Sequence, residues 1–189
     1  MDISVQKKLL RKKYIQQRLS LSPAQWRSNS DKICQNILDS EIFRQAKVVL
    51  SYFSFKQEPD LSLLHQQDKV IWGFPRCEGN NLVWHQWQWG NELDTGKYNI
   101  LEPLADSPLI DITLVDLILV PSVLLDRTGY RLGYGGGYYD RMLASFPCQN
   151  TMGIVFDFAY IPHLPRESWD KPLKYICTEN NLSQSLEIT

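Results

Sequence analysis

The sequence predicts an α/β fold: a single three-layer α/β/α domain over 1–189, with a mainly parallel sheet and the N-terminal helices packed on it. Three observations predict it. Segments of helical pattern alternate with short β-branched or aromatic runs, the order that builds parallel strands joined by helices. Leu117, Ile118, Leu119 and Val120 form an uninterrupted apolar run, as a strand covered on both faces requires. A glycine-rich segment stands between that run and the next helical pattern, where open α/β sheets bind ligands.

The elements follow in order. Residues 4–20 read as a helix with Val5, Leu9 and Leu10 apolar and Lys7, Arg11 and Arg18 polar. Ser22, Pro23 and Gln25 make a capping box with proline at the first helical position, opening a second helix that runs to about 39. Residues 47–55 are mostly β-branched or aromatic and read as a strand. A short helix is expected over 60–67, and a strand over 69–74 that Pro75 ends. Residues 81–89 alternate as a third strand after a Gly79-Asn80 turn. Residues 90–115 read as loop, 117–120 as a buried strand, 138–145 as a helix and 151–156 as another buried strand. A polar tail is expected from about 180.

Charge and cysteine usage exclude several classes. With 20 Lys and Arg against 21 Asp and Glu, the net charge of -1 excludes a protein held on nucleic acid by bulk charge. The uncharged stretch 117–125 is too short to span a bilayer. The N-terminal residues lack a continuous apolar core and do not read as a secretory signal. Cys34, Cys77, Cys148 and Cys177 suit neither a zinc site nor a disulfide framework, so a cytoplasmic protein is expected. The three tryptophans Trp84, Trp87 and Trp89 read as packing of an alternating strand rather than a stacking platform.

Half of the ten glycines fall within 129–137. Glycines let backbone N–H groups approach an anion, and a following helix adds partial positive charge. The segment is neither GxxxxGK[ST] nor GxGxxG. Two readings are open: a phosphate-binding loop, or a turn that needs glycine only for its backbone. In the first, Arg131 and Arg141 pair with phosphates and Asp140 holds magnesium on them; in the second they form a solvated face and a helix-start ion pair.

The same residues carry a resemblance. Val120, Pro121, Asp126, Gly129, Arg131, Leu132, Gly133, Gly135, Gly137, Tyr138, Tyr139 and Asp140 match VPxxxFDxxGxRLGxGxGYYD, with Leu125 in place of the phenylalanine. This resembles the 5-formyltetrahydrofolate cyclo-ligase family. Lys7 and Arg11 match its opening Lys-x-x-x-Arg, and 53–60 resembles its folate-binding stretch. Pro75-Arg76 and Glu102-Pro103 match further short segments, and 164–170 matches a late block in which Lys174 replaces a second aspartate.

The resemblance implies an ATP- and magnesium-dependent ligase that acts on 5-formyltetrahydrofolate without nucleic acid, membrane or partner subunit, as a monomer. It implies ATP at Lys7, Lys8, Arg11, Arg131, Gly133, Tyr134, Gly135, Gly136, Gly137, Tyr138 and Tyr139. Folate is implied at Phe53, Glu58, Tyr134, Gly135, Gly136, Gly137 and Tyr138, and magnesium at Asp140 and Asp170. Arg131 and Tyr138 are the implied catalytic groups. Without the resemblance, the basic N-terminal helix also reads as a surface that docks on anionic lipid or RNA.

Overall fold

A computed structural model of the chain describes residues 2–146 and 148–186. Helix α1 (Ile3–Leu19) starts at Asp2, whose carboxylate accepts a hydrogen bond from the Ser4 N–H at 3.3 Å. Its sides depart in part from the sequence expectation. Lys7 and Arg18 are buried, whereas Val5 and Leu9 are 46% and 54% exposed. Of the three expected apolar residues, Leu10 packs on the core. Helix α2 (Pro23–Asp39) has the expected capping box at Ser22 and Gln25, and buries Ile33, Cys34 and Ile37. Ser40 caps the short α3 (Glu41–Gln45), which buries Phe43.

Strand β1 (Val48–Leu50) is shorter than the apolar pattern suggests. After Ser51, whose N–H bonds the Gly73 carbonyl at 2.8 Å, the chain leaves the sheet and bends over its end. Helix α4 (Ser62–His65) follows. Strand β2 (Ile71–Glu78) continues through Pro75 and pairs with β3 (Asn81–Gln86) across the Gly79-Asn80 turn. Pro75 stands opposite Trp84, and the pairing with β1 ends at Gly73, so the missing N–H costs no ladder bond. Trp84 and Trp87 are buried, as packing residues of this region; Trp89 is exposed.

The 90–115 stretch is not all loop: β4 (Leu93–Thr95) and β5 (Leu101–Pro103) form an antiparallel hairpin. Next come β6 (Leu117–Pro121), β7 (Leu124–Asp126) and β8 (Arg131–Leu132). Helix α5 (Tyr138–Ser145) has the expected bounds. Strand β9 (Thr151–Ile154) precedes β10 (Tyr160–Ile161), which joins β7 and β8 in a small second sheet. The chain closes with β11 (Tyr175–Cys177) and β12 (Leu182–Gln184). The polar stretch expected as a tail therefore supplies a strand instead, because β12 completes the ladder on β11.

The main sheet has the order β12-β11-β9-β6-β1-β2-β3. Its interior pairs are all parallel, and only the two edge pairs, β12 on β11 and β3 on β2, are antiparallel. Alternate residues of the central strands face two separate cores. Val49, Leu117, Leu119, Met152 and Ile154 pack against residues of α2, α3 and α4. Val48, Leu50, Ile118 and Val120 pack on the opposite face, with Leu10, Tyr14 and Ile15 of α1 and Met142 and Leu143 of α5. The fold is thus three layers around a mainly parallel sheet. Each fully buried aliphatic side chain contributes roughly 1.5–3 kcal/mol to that arrangement. No helix among the described residues is long and apolar enough to cross a membrane.

Candidate active site

The segments that leave the carboxyl ends of β1 and β6 enclose a cavity of about 420 Å³. Phe53, Phe55 and Glu58 line one wall, the 133–137 glycine run another, and Lys97 and Tyr98 from the β4–β5 hairpin the rim. Tyr138, Tyr139 and Asp140 at the start of α5 also reach it, as does Arg131.

Glu58 is 3% exposed and accepts a hydrogen bond from the Phe55 N–H at 3.1 Å. Burial raises its pKa to about 7, against the pull of Arg18, the Phe55 N–H and the Tyr134 hydroxyl. A hydrogen-bond donor that reached its carboxylate would favour the charged form. Phe53 serves two ends. Its ring stacks on Phe74 at 4.2 Å and meets Trp87 edge-on, yet it remains partly exposed in the cavity wall.

The glycine run is held by arginines. Arg11 Nε donates to the Gly133 carbonyl at 2.8 Å, and its guanidinium lies 3.5 Å from where a Cβ on Gly135 would stand. Arg131 is buried and donates to Asp140 Oδ1 at 2.8 Å. A Cβ on Gly133 would come within 2.6 Å of that guanidinium, so any other residue there would displace it from its place. Gly137 caps the start of α5 at φ +69°, a left-handed conformation that other residues resist. The start of α5 carries no side-chain cap, and its first residues, Tyr138, Tyr139 and Asp140, line the cavity. Arg141 is occupied elsewhere: it bonds the Asn80 and Gly136 carbonyls and ties the β2–β3 turn to the loop.

Lys7 lies beyond Arg11 on the same stripe of α1. Its ammonium donates to Asp170 Oδ2 at 2.6 Å and Glu167 Oε2 at 2.8 Å. Burial opposes the charge, but the bonds to Asp170 and Glu167 outweigh it and raise the lysine pKa. For Arg11, burial lowers the pKa, and Asp140, Glu167 and Asp170 offset this only in part. Tyr138 receives a hydrogen bond from Lys97 Nζ at 3.0 Å and donates to the Gly79 carbonyl at 3.2 Å. Tyr139 packs edge-on against Trp84, and burial pushes its hydroxyl pKa up.

The structure therefore gathers Phe53, Glu58, Arg131, Gly133, Tyr134, Gly135, Gly136, Gly137, Tyr138, Tyr139 and Asp140 around one cavity. Arg11 stands directly behind the glycine run, with Lys7 and Asp170 one layer further out. Lys8 is exposed, one step around the helix from the buried stripe. Lys174 is not beside Asp170: its ammonium bonds Asn150 Oδ1 at 3.2 Å. Pro75-Arg76 and Glu102-Pro103 meet in an Arg76–Glu102 ion pair of 3.0 Å, which anchors the rim hairpin to β2.

Two residues of this arrangement escaped the sequence reading as site groups, Arg18 and Glu167. Arg18 is legible in hindsight, since Lys7, Arg11 and Arg18 are spaced four and seven apart and fall on one helix face. Glu167 lies 160 residues from its partner, and nothing local marks it. The thiols are unsuited to nucleophilic work. Burial raises the pKa of Cys148 and Cys177, and that of Cys34 to about 12.

Among the described residues, no three His, Cys, Asp or Glu side chains gather into a metal cage. Magnesium is usually held by one or two carboxylates plus the phosphates of a bound nucleotide. Asp140 offers such an oxygen, since only Oδ1 is engaged by Arg131.

Comparison with known proteins gives one consistent result. The chain is 28% identical over 168 residues to the 5-formyltetrahydrofolate cyclo-ligase of Haemophilus influenzae, covering 82% of this chain and 88% of that protein. It is 27% identical over 179 residues to the Escherichia coli K12 enzyme of the same name, covering 88% and 97%. The NMR structure of Aquifex aeolicus 5,10-methenyltetrahydrofolate synthetase superposes with a TM-score of 0.86 at 32% identity, covering 97% of this chain and 94% of that one. The model of the 5-formyltetrahydrofolate cyclo-ligase family matches residues 3–179, from the first helix through the last parallel strand, and the chain belongs to that family.

Proposed function

We propose that the protein converts 5-formyltetrahydrofolate to 5,10-methenyltetrahydrofolate at the expense of ATP, releasing ADP and phosphate. The observation that carries this reading is the pairing of two unlike walls in one cavity. One wall offers a buried carboxylate and aromatic faces, suited to the donor edge and plane of a reduced pterin. The other offers glycine backbone, the open start of α5 and Arg131, suited to phosphate oxygens.

The chemistry needs no covalent nucleophile from the protein. The formyl oxygen attacks the γ-phosphorus of ATP, and ADP leaves. The formyl carbon, now carrying a phosphate leaving group, is attacked by nitrogen 10. That nitrogen loses its proton, phosphate departs, and the five-membered ring closes with its positive charge shared between nitrogens 5 and 10. The protein has to align two ligands and neutralise phosphoryl charge. In this reading Glu58 and Phe53 fix the pterin and Arg131 faces the polyphosphate, with Arg11 behind the glycine run, while Lys7 and Lys8, which do not line the cavity, add positive charge from the outer layer. Tyr138 reaches the formyl group or the phosphate it receives. Asp140, with Asp170 further out, would hold a magnesium ion against the phosphates, where the ion supplies neutralisation of the transferring charge.

The four free cysteines fit a reducing cytoplasm. The test is the absorbance of methenyltetrahydrofolate formed from 5-formyltetrahydrofolate. Product should appear with magnesium and ATP and not without ATP. ATP-independent product, or none, would overturn the reading.

A further inference from the structure

We infer that Arg18 is a positioning residue that joins the folate wall to the glycine loop, holding the Glu58 carboxylate and Tyr134 in one arrangement. This rests on the folate reading of Glu58 above. Arg18 itself does not line the cavity. It is 4% exposed, and its guanidinium is divided among three parts of the site. Nε donates to the Lys56 carbonyl at 2.9 Å. One terminal nitrogen donates to the Tyr134 hydroxyl, and the other lies 4.0 Å from Glu58 Oε1. The same guanidinium lies over the Tyr134 ring, 5.6 Å from its centroid.

Each contact answers a local need. Lys56 and Gln57 occupy left-handed backbone at φ 48° and 55°, an unfavourable bend for two residues with side chains. That bend turns Glu58 into the cavity, and the bond from Arg18 to the Lys56 carbonyl pins it. Tyr134 sits in the glycine run, where Gly135 and Gly136 provide no side-chain anchors of their own. Its hydroxyl fixes that run to α1 through Arg18, while Arg11 fixes Gly133 from the same helix. One rigid helix thus sets the spacing between the pterin acid and the phosphate loop.

The groups facing Glu58 make its charge depend on Arg18. From α1 it meets Arg18; from the segment after β1, Tyr52; from the loop, Tyr134; and from α5, Tyr139. The tyrosines are neutral at physiological pH, since burial raises the pKa of all three. Arg18 is therefore the cation among them, and losing it moves Glu58 toward the protonated form.

The experiment compares wild type, Arg18→Gln, Arg18→Lys, Glu58→Gln and the Arg18→Gln/Glu58→Gln double variant. The KM for each substrate and kcat are measured from pH 6 to 9, with melting temperatures alongside. In wild type, the folate KM should rise as pH falls through about 7, where Glu58 takes up its proton. Arg18→Gln should move that rise upward by about one pH unit, the usual effect of removing an opposite charge at this range. Arg18→Lys, which keeps the charge and shortens the reach, should leave the rise near its wild-type pH but lower kcat.

The double variant should show the flat profile of Glu58→Gln and a folate KM within about twofold of it, as sites acting through one another are non-additive. It carries no unpaired buried charge, so it serves even if Arg18→Gln alone fails to fold. An unshifted profile in folded Arg18→Gln, or a fully additive double variant, overturns the inference. If wild type makes no methenyl product with ATP, the folate reading fails first and this inference with it; if it does, the Arg18 variants judge Arg18 alone.

Discussion

At the scale of single residues, the site is built from charges that small changes can reassign. Glu58→Gln exchanges a carboxylate for an amide whose NH2 faces the donors of a pterin. The loss of a charge-assisted bond costs roughly 1.5–3 kcal/mol, so the folate KM should rise about 10- to 100-fold with the ATP KM little changed. Unchanged affinity for reduced folate by calorimetry would return Glu58 to a purely structural role. Lys7→Ala removes the ammonium that Asp170 and Glu167 share. The ATP KM should rise far more than the folate KM, because only ATP brings a polyphosphate to α1; equal increases would sink the assignment. Asp140→Asn keeps the acceptor that Arg131 uses and removes the charge. Its melting temperature should fall modestly, since Arg131 is buried and Asp140 only partly exposed, and a charge-assisted bond there is worth roughly 1.5–3 kcal/mol. Turnover should drop on the order of 10²–10³, with partial rescue by excess magnesium if the defect is metal affinity. A wild-type rate with wild-type magnesium dependence would make Asp140 a helix-start residue only.

At the scale of elements, what was legible in the sequence is what local chemistry decides. The capping box placed the start of α2, and the glycine-to-aromatic switch at Gly137 and Tyr138 placed the start of α5. Side-chain periodicity misassigned α1, because the rule takes apolar residues as the buried ones. There the inward face mixes Leu10, Tyr14 and Ile15 with the more deeply buried Lys7 and Arg18, which carboxylates and carbonyls from residues far along the chain compensate. Strand lengths were equally hidden. Residues 52–55 have strand propensity but lie beyond the ladder, which ends with the Ser51 bond to Gly73, while Pro75 lies inside a strand because the neighbouring ladder has already ended. The two-residue β10 exists only through long-range pairing with β7, and β8 only through the short hairpin it makes with β7. The switch at Gly137 can be tested as an element. Gly137→Ala imposes a left-handed strain of about 1–2 kcal/mol and presses a Cβ toward the flexible Arg141 side chain, which can yield. The protein should stay folded with a modestly lower melting temperature, while the ATP KM rises through the displaced start of α5. A changed folate KM with an unchanged ATP KM would place the loop on the wrong ligand.

At the scale of the whole molecule, the site depends on both ends of the chain and both sides of the sheet. Lys7, Arg11 and Arg18 come from the first helix, Glu58 from the segment after β1, the glycine run from the middle, and Asp170 from near the end. Groups so distant in sequence converge only when the three layers are complete, so filling the site should stabilise the whole fold rather than one loop. A ligand at a hundred times its dissociation constant adds about 2.7 kcal/mol. For a chain of this length that corresponds to a rise in melting temperature on the order of 5–10 °C. Magnesium-ATP and 5-formyltetrahydrofolate should each raise it. A non-hydrolysable ATP analogue together with the folate should raise it more than either alone, since α1 would be held by both walls at once. The competing idea, that the basic stripe of α1 docks on anionic lipid or RNA, predicts a different result. It rests on the basic cluster from Lys7 to Arg18, which the fold splits: Lys7 and Arg18 are buried against internal partners, and Lys8, Lys12 and Lys13 stay in solvent. Anionic vesicles and RNA should therefore leave the melting temperature unmoved. A shift with either of them, and none with nucleotide or folate, would reverse the assignment of α1 from active-site wall to docking surface.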